Sequence, residues 1–167
     1  MAHFAEIKQK QDPTGFTTDT QWVVERVVVI GNDIQTSNGP LENNDMHVDG
    51  ETWCQNFFKG GTWKQTSYNN NFRGKYAGVN MVYDYDKDIF IMPQPYKSWT
   101  LNANNNWQAP NARPSIEVLE NEVLYIIGWN ESKYEADNTK GWEAYKSDDL
   151  NIPKTIYNWN GTAWVAE

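Results

Sequence analysis

An α+β fold, β-rich and made mainly of antiparallel hairpins with one principal helix at about residues 47–59, is predicted by three observations. The first is the aromatic load, nine tryptophans, nine tyrosines and six phenylalanines, residue types that favour strands. The second is the recurrence of short apolar or alternating runs broken by Asn, Asp, Gly and Pro. The third is a single stretch with helical spacing, in which Trp53 and Phe57, and likewise Cys54 and Phe58, stand four residues apart.

Residues 2–7 read as a short first strand and residues 22–30 as a longer one, with apolar groups on both faces, as in the centre of a sheet. Residues 8–21 between them are polar and carry the turn signal Asp12-Pro13-Thr14-Gly15, so the two strands form an antiparallel hairpin with a long loop. Residues 31–45, with Asn38-Gly39-Pro40, connect to the helix. There the spacing turns Trp53, Cys54, Phe57 and Phe58 inward. Asp45 or Asp49 caps its start, and Gly60, which accepts left-handed backbone, ends it.

Residues 60–73 join the helix to the hairpins and are the hub of the chain. Residues 62–68 alternate as a strand containing Trp63 and stop at Asn69, Asn70 and Asn71. These asparagines are either a plain turn, since Asn tolerates left-handed backbone, or a recognition loop. In residues 80–86, Met81, Tyr83 and Tyr85 face one way and Asp84 and Asp86 the other. A tight loop at Lys87-Asp88 sets Tyr85 opposite Phe90 in residues 89–92, and Pro93 and Pro95 stop the ladder.

Trp99 and Trp107 flank an asparagine turn at residues 102–106, closed by Pro110 and Pro114. Residues 122–129 are a second strand apolar on both faces, returned by residues 130–133 to Tyr134. Residues 136–149 are polar, with Trp142 and Tyr145 packing them down. Residues 156–167 form a C-terminal hairpin about Asn160-Gly161. Tyr85/Phe90, Trp129/Tyr134 and Trp159/Trp164 thus recur as aromatic pairs five apart; a two-residue Asn160-Gly161 loop would pair Tyr157 with Trp164 instead. Each facing pair adds about 0.5 to 1.5 kcal/mol beyond burial.

At 167 residues the chain is read as one domain, 1–167, long enough to bury roughly 70% of the surface its unfolded form exposes. A net charge of −8 opposes a nucleic-acid partner, because phosphate binding needs clustered cations and arginine occurs only at 26, 73 and 113. The lone Cys54 permits no intrachain disulfide and sits among apolar helix residues as a buried thiol. No basic stretch followed by an apolar one opens the chain, and its greasiest run, around residues 27–30, is far short of the roughly 20 residues that span a membrane. Neither Sec export nor membrane insertion is expected.

His3 and His47 lack partners in zinc-ligand spacing. Asp84, Asp86 and Asp88 start like a calcium loop, but Ile89 and Pro95 stand where that loop needs glycine and glutamate. With no phosphate loop, nucleophile elbow or metalloprotease motif, no catalytic residue, metal or cofactor is assigned and the chain is read as a non-enzyme. The candidate contact residues are Trp99, Trp107, Trp129, Tyr134, Trp159 and Trp164, with Asn69, Asn70 and Asn71. Such rings anchor interfaces, or stack on sugars beside amide-rich loops, or simply fill a core.

Taken jointly, several blocks resemble a known family. They are Met1-Ala-His-Phe-Ala-Glu-Ile7, Val27-Val-Val-Ile30 with Asn32, Trp53-Cys54, Thr62-Trp-Lys-Gln-Thr-Ser-Tyr-Asn69 through Asn71-Phe-Arg73, Tyr76-Ala-Gly78, the stretch from Pro93 to Leu101 with Trp107 and Pro110, and Tyr157-Asn-Trp-Asn160 with Trp164-Val165. The family is that of small virion structural proteins of tailed phages, in particular T4-like and related phages of marine cyanobacteria. The resemblance covers most of residues 1–114 and the tail; the chain departs from the family pattern in the long loop of residues 8–21 and in residues 115–155, and the resemblance implies that the latter are an insert.

It further implies a non-enzymatic part of the particle, a tail or baseplate accessory or a head decoration, docking through aromatic hairpins. Such a protein is made in the host cytoplasm, resides in the virion, and has other virion proteins and copies of itself as partners. Two alternatives accompany it. One is a carbohydrate-binding module that contacts a host surface glycan. The other is a tail-fibre assembly chaperone, a class that the blocks Tyr83-Asp84-x-x-x-Asp88-x-Phe90 and Pro95-Tyr96-x-Ser98-Trp99 also resemble.

Overall fold

Strands β1 (Ala2–Gln11) and β2 (Thr20–Ile30) pair antiparallel from Ala2 opposite Ile30 to Gln11 opposite Thr20, with a bulge at Glu6/Ile7. They belong to a computed structural model that describes residues 1–42, 47–115 and 123–167. Both strands run further than their apolar pattern, the backbone ladder continuing to Gln11 opposite Thr20, and Lys8 and Lys10 pair with Glu25 on the exposed side. The turn between them is closed by Asp12, whose carboxylate accepts from the Thr14 N–H at 2.9 Å and the Thr17 N–H at 3.0 Å.

Where chain length predicts one domain, the described residues gather into two compact units, Met1–Pro95 with Leu101–Trp107, and Tyr96–Thr100 with Gln108–Glu167. Each unit has buried apolar clusters of its own. The class is the β-rich α+β fold read from the sequence, with antiparallel sheets and one main helix.

In the first unit the sheet order is β5-β1-β2-β6-β7, with β5 (Thr62–Thr66), β6 (Val82–Asp84) and β7 (Ile89–Ile91). β2 is interior, as its two apolar faces require. Ala5, Ile7 and Val24 pack with Met81, Tyr83 and Phe90, while Phe4 and Ile30 pack with Leu41, Cys54 and Trp63. The connection before the helix also holds a ribbon, β3 (Gln35–Thr36) with β4 (Gly39–Pro40).

Helix α1 (Val48–Phe57) lies on the second of these clusters. Its N-cap, His47, makes no side-chain cap bond; Asp49 sits within the first turn, where the helix dipole favours it, and is not the cap. Asp45 lies outside the described residues. The helix ends through Lys59 and Gly60 at positive φ, with the Gly60 N–H on the Gln55 carbonyl at 2.7 Å.

One inward expectation is corrected here, since Phe57 is 62% exposed. The place it would fill against the sheet is taken by Phe58, stacked on Trp63 at 4.8 Å, and Phe57 stacks instead on Trp53 at 4.7 Å. The β6–β7 register is also corrected, for Tyr83 and not Tyr85 faces Phe90. Asp84 accepts from the Asp86 and Lys87 N–H groups, and Asp88 takes a positive φ, so the turn is four residues, 85–88, instead of two. Tyr85 packs on Tyr83 and Trp22.

The ribbon of β8 (Thr100–Leu101) and β9 (Trp107–Gln108) closes through Asn102, which donates its N–H to the Asn106 carbonyl at 2.9 Å. It puts Trp99 in the second unit and Trp107 in the first.

The second unit carries an antiparallel sheet of order β10-β11-β12-β13, comprising β10 (Tyr125–Trp129), β11 (Trp142–Lys146), β12 (Tyr157–Trp159) and β13 (Trp164–Ala166). β10 is an edge strand, with Tyr125 and Trp129 buried and Ile126 turned out. Residues 130–133 do not form a hairpin turn. Asn130 caps a short helix, α2 (Glu131–Ala136), by accepting the Lys133 N–H at 3.1 Å. The polar segment 136–149 hides β11, which alternates buried Trp142 and Ala144 with Glu143 and Tyr145. At the C-terminus Trp159 pairs with Trp164 across a turn built by Asn160 Oδ1, which accepts from the Thr162 and Ala163 N–H groups.

Candidate functional site

The second unit's sheet gathers every aromatic candidate except Trp107. Buried Ala109, Trp129 and Trp142 form a cluster joined by Tyr96, Trp99, Ile127, Tyr134, Trp159 and Trp164. Trp129 meets Trp142 at 5.2 Å and Tyr134 at 5.3 Å, and Trp159 meets Trp164 at 5.2 Å. The Trp129/Tyr134 contact runs across the turn of α2. Trp129 Nε1 donates to Glu131 Oε2 at 2.7 Å, and the Ser98 N–H donates to Glu131 Oε1 at 2.7 Å. Burial alone would raise the Glu131 carboxyl, but the bonds from Trp129 and Ser98 outweigh it and hold the group below its ordinary value. Trp142 Nε1 donates to the Asn111 carbonyl at 2.9 Å. These rings are a scaffold, and only its rim meets solvent.

Trp107 lies in the first unit, its Nε1 on the Met92 carbonyl at 2.7 Å. There too Asn69, Asn70 and Asn71 form an exposed turn. Asn70 has φ 56, its Oδ1 accepts the Tyr76 N–H at 2.6 Å, and the Asn71 N–H donates to Ser67 Oγ at 3.0 Å. Beside it Tyr68 stacks on His3 at 5.8 Å, a grouping no sequence spacing announces.

The first unit's polar cluster centres on Arg73. Arg73, whose side chain is 7% exposed, donates to Glu51 at 2.7 Å, to Asp88 at 2.7 Å and to the Gln65 carbonyl at 3.0 Å, and the Tyr83 hydroxyl also donates to Asp88. It ties the helix, β5 and the β6–β7 turn together. Burial pushes the Cys54 thiol up to about 12, so the sulfur is protonated at neutral pH and is not a nucleophile.

Two surfaces of the second unit were not legible in the sequence. In the β11–β12 connection Leu150 and Ile152 are 91% and 98% exposed. The loop is braced by Asp149, which accepts the Asn151 N–H at 2.8 Å and the Thr155 N–H at 2.7 Å, bonds that also hold its carboxyl below the ordinary value. The only sequence signal was two aliphatic residues isolated in a polar stretch. The second surface is an open groove of about 900 Å³, lined by Asn111, Asn138, Lys140, Asn158, Trp159 and Asn160 among others. Of these, only Trp159 stood among the candidates. Among the described residues no helix is long and apolar enough to cross a membrane, and no protein-family model, curated protein or solved structure matches this chain.

Proposed function

We propose that this chain is a non-enzymatic structural protein of a tailed-phage particle that docks on a neighbouring particle protein through its 147–155 loop. The particle setting comes from the sequence resemblance. The observation that carries the docking is the exposure of Leu150 and Ile152, at 91% and 98%, on a loop whose backbone Asp149 already fixes. Burying such a side chain is worth about 1.5 to 3 kcal/mol, and a pre-ordered loop loses little conformational freedom on binding. The tryptophan cluster supplies the rigid base, and the loop supplies the contact.

Mass spectrometry of purified particles tests both halves. The wild-type chain is expected in many copies per particle, and the Leu150→Ser/Ile152→Ser variant, folded by circular dichroism, at a level about tenfold lower. Absence of the wild-type chain would sink the particle role; a double variant incorporated at wild-type level would sink the role of the loop.

A further inference from the structure

We infer that the groove of the second unit is a binding site for a neutral oligosaccharide. At about 900 Å³ it lies in the upper part of the roughly 300 to 1,000 Å³ span of ligand sites. Three loops make it: Asn111 on one side, Asn138, Thr139 and Lys140 after α2, and Trp159 with Asn160 at the end of β12. The first two are fastened together, because Asn111 Nδ2 donates to the Asn138 carbonyl at 2.9 Å and to the Lys140 carbonyl at 2.7 Å. Trp159 is steadied by Trp164 at 5.2 Å. The walls are therefore set before a ligand arrives, and little ordering is left to oppose binding.

The lining chemistry selects the ligand. An indole is a flat apolar surface that the C–H face of a pyranose can cover, with a polar N–H at its edge. Carboxamides carry a donor pair and an acceptor on adjacent atoms, the arrangement that neighbouring sugar hydroxyls require. Asn138 presents a whole one to the groove, while Asn111 presents its Oδ1 and Asn158 and Asn160 present their Nδ2, their other side-chain atoms being committed within the fold. Charge excludes the competing ligands. Among the described lining residues the one ionised group is Lys140, and it already pairs with Asp137 at 3.2 Å. An anionic sugar or a phosphate would find no uncommitted cation among them, and a lipid or aliphatic peptide would leave the Asn138 carboxamide and the remaining amide atoms without partners.

This site is separate from the 147–155 loop and does not depend on the particle role, so each reading can fail without the other. Titration calorimetry of the full chain with cellotetraose, maltotetraose, chitotetraose and mannotetraose tests it, with tetragalacturonate as the charged comparison. At least one neutral tetrasaccharide is expected to bind with Kd at or below about 1 mM. Asn138→Ala, on an exposed turn, and Trp159→Phe, which keeps a ring in the cluster, are each expected to weaken that binding about tenfold while melting within a few degrees of wild type. The inference is overturned by silence from all four neutral sugars at about ten times that concentration, by tighter binding of tetragalacturonate, or by wild-type affinity in both variants.

Discussion

Trp63 is 3% exposed and Phe57 62%, although both are large aromatic residues close in sequence to the end of α1. The difference lies in what each ring can reach. Trp63 is fixed by its strand on the inner face of β5, with Nε1 on the Gly60 carbonyl at 3.1 Å and Phe58 stacked over it. Among the described residues Phe57 makes ring contacts with Trp53 and the edge of Phe58. Four-residue spacing told that Trp53 and Phe57 share a face; it could not tell whether the sheet extends under the last turn. Trp63→Ala is therefore expected to cost about 3 to 5 kcal/mol of stability, and Phe57→Ala less than about 1 kcal/mol. Urea unfolding of the two variants decides it, and equal losses would mean that this partition of the rings is wrong.

At the scale of elements, the β1–β2, β8–β9 and β12–β13 hairpins were legible because alternation and turn chemistry are local, whereas the β6–β7 register and the turn expected at 130–133 were not. The two-faced apolar pattern marked an interior strand at β2 but an edge strand at β10. Elements whose signal was short or ambiguous were not legible. α2 has six residues, too few to display a period, and its capping Asn130 reads equally as a turn residue. β11 lies in a polar run where two buried positions do not stand out. The groove was legible only at Trp159, since Asn111 meets the 138–140 turn by tertiary folding across 27 positions of chain.

The packing of α1 on the sheet yields a prediction against the usual sign. Replacing glycine by alanine inside a helix normally stabilises it by about 0.5 to 1 kcal/mol. At Gly50 an added Cβ would lie 2.2 Å from Phe4 Cζ and 3.0 Å from Leu41 Cδ1. Phe4 is wholly buried and has nowhere to retreat, so overpacking of about 1 to 3 kcal/mol prevails. Gly50→Ala should lower the urea midpoint, and a raised midpoint would show that α1 can lift off Phe4 at no cost.

For the whole molecule, two electrostatic effects make opposite predictions about pH. The net charge of −8 vanishes near the pI of about 4.7, so if long-range self-repulsion dominated, stability would peak there. The local pairing opposes this. Burial and the positive N-terminus hold His3 below its ordinary value, so the unfolded chain takes up that proton first and stability is lost as pH falls through about 6.5. Hydrogen bonds that outweigh burial depress Asp12 and Glu131, and bonds to Lys10, Thr139 and Asn151 depress Glu25, Asp137 and Asp149. A depressed carboxylate contributes its full stability above its unfolded value, about 3.9 for Asp and 4.3 for Glu, and loses it as pH falls through the lower native value. Glu25, Asp137 and Asp149 are screened by solvent, which leaves Asp12 and Glu131 to shape the acid limb. On the alkaline side, burial raises the Cys54 thiol to about 12 and lifts the Tyr125 phenol; the first contribution is present in full below about 8.5 and the second below about 10, and each declines above that. The urea midpoint is therefore expected to be highest between about pH 7 and 8.5, to drop shallowly below about 6.5 in a step that His3→Asn removes, and to fall steeply below about 4 in a limb that Glu131→Gln flattens. A midpoint that rises as the solution is brought from neutrality to the pI would instead give the decision to net charge.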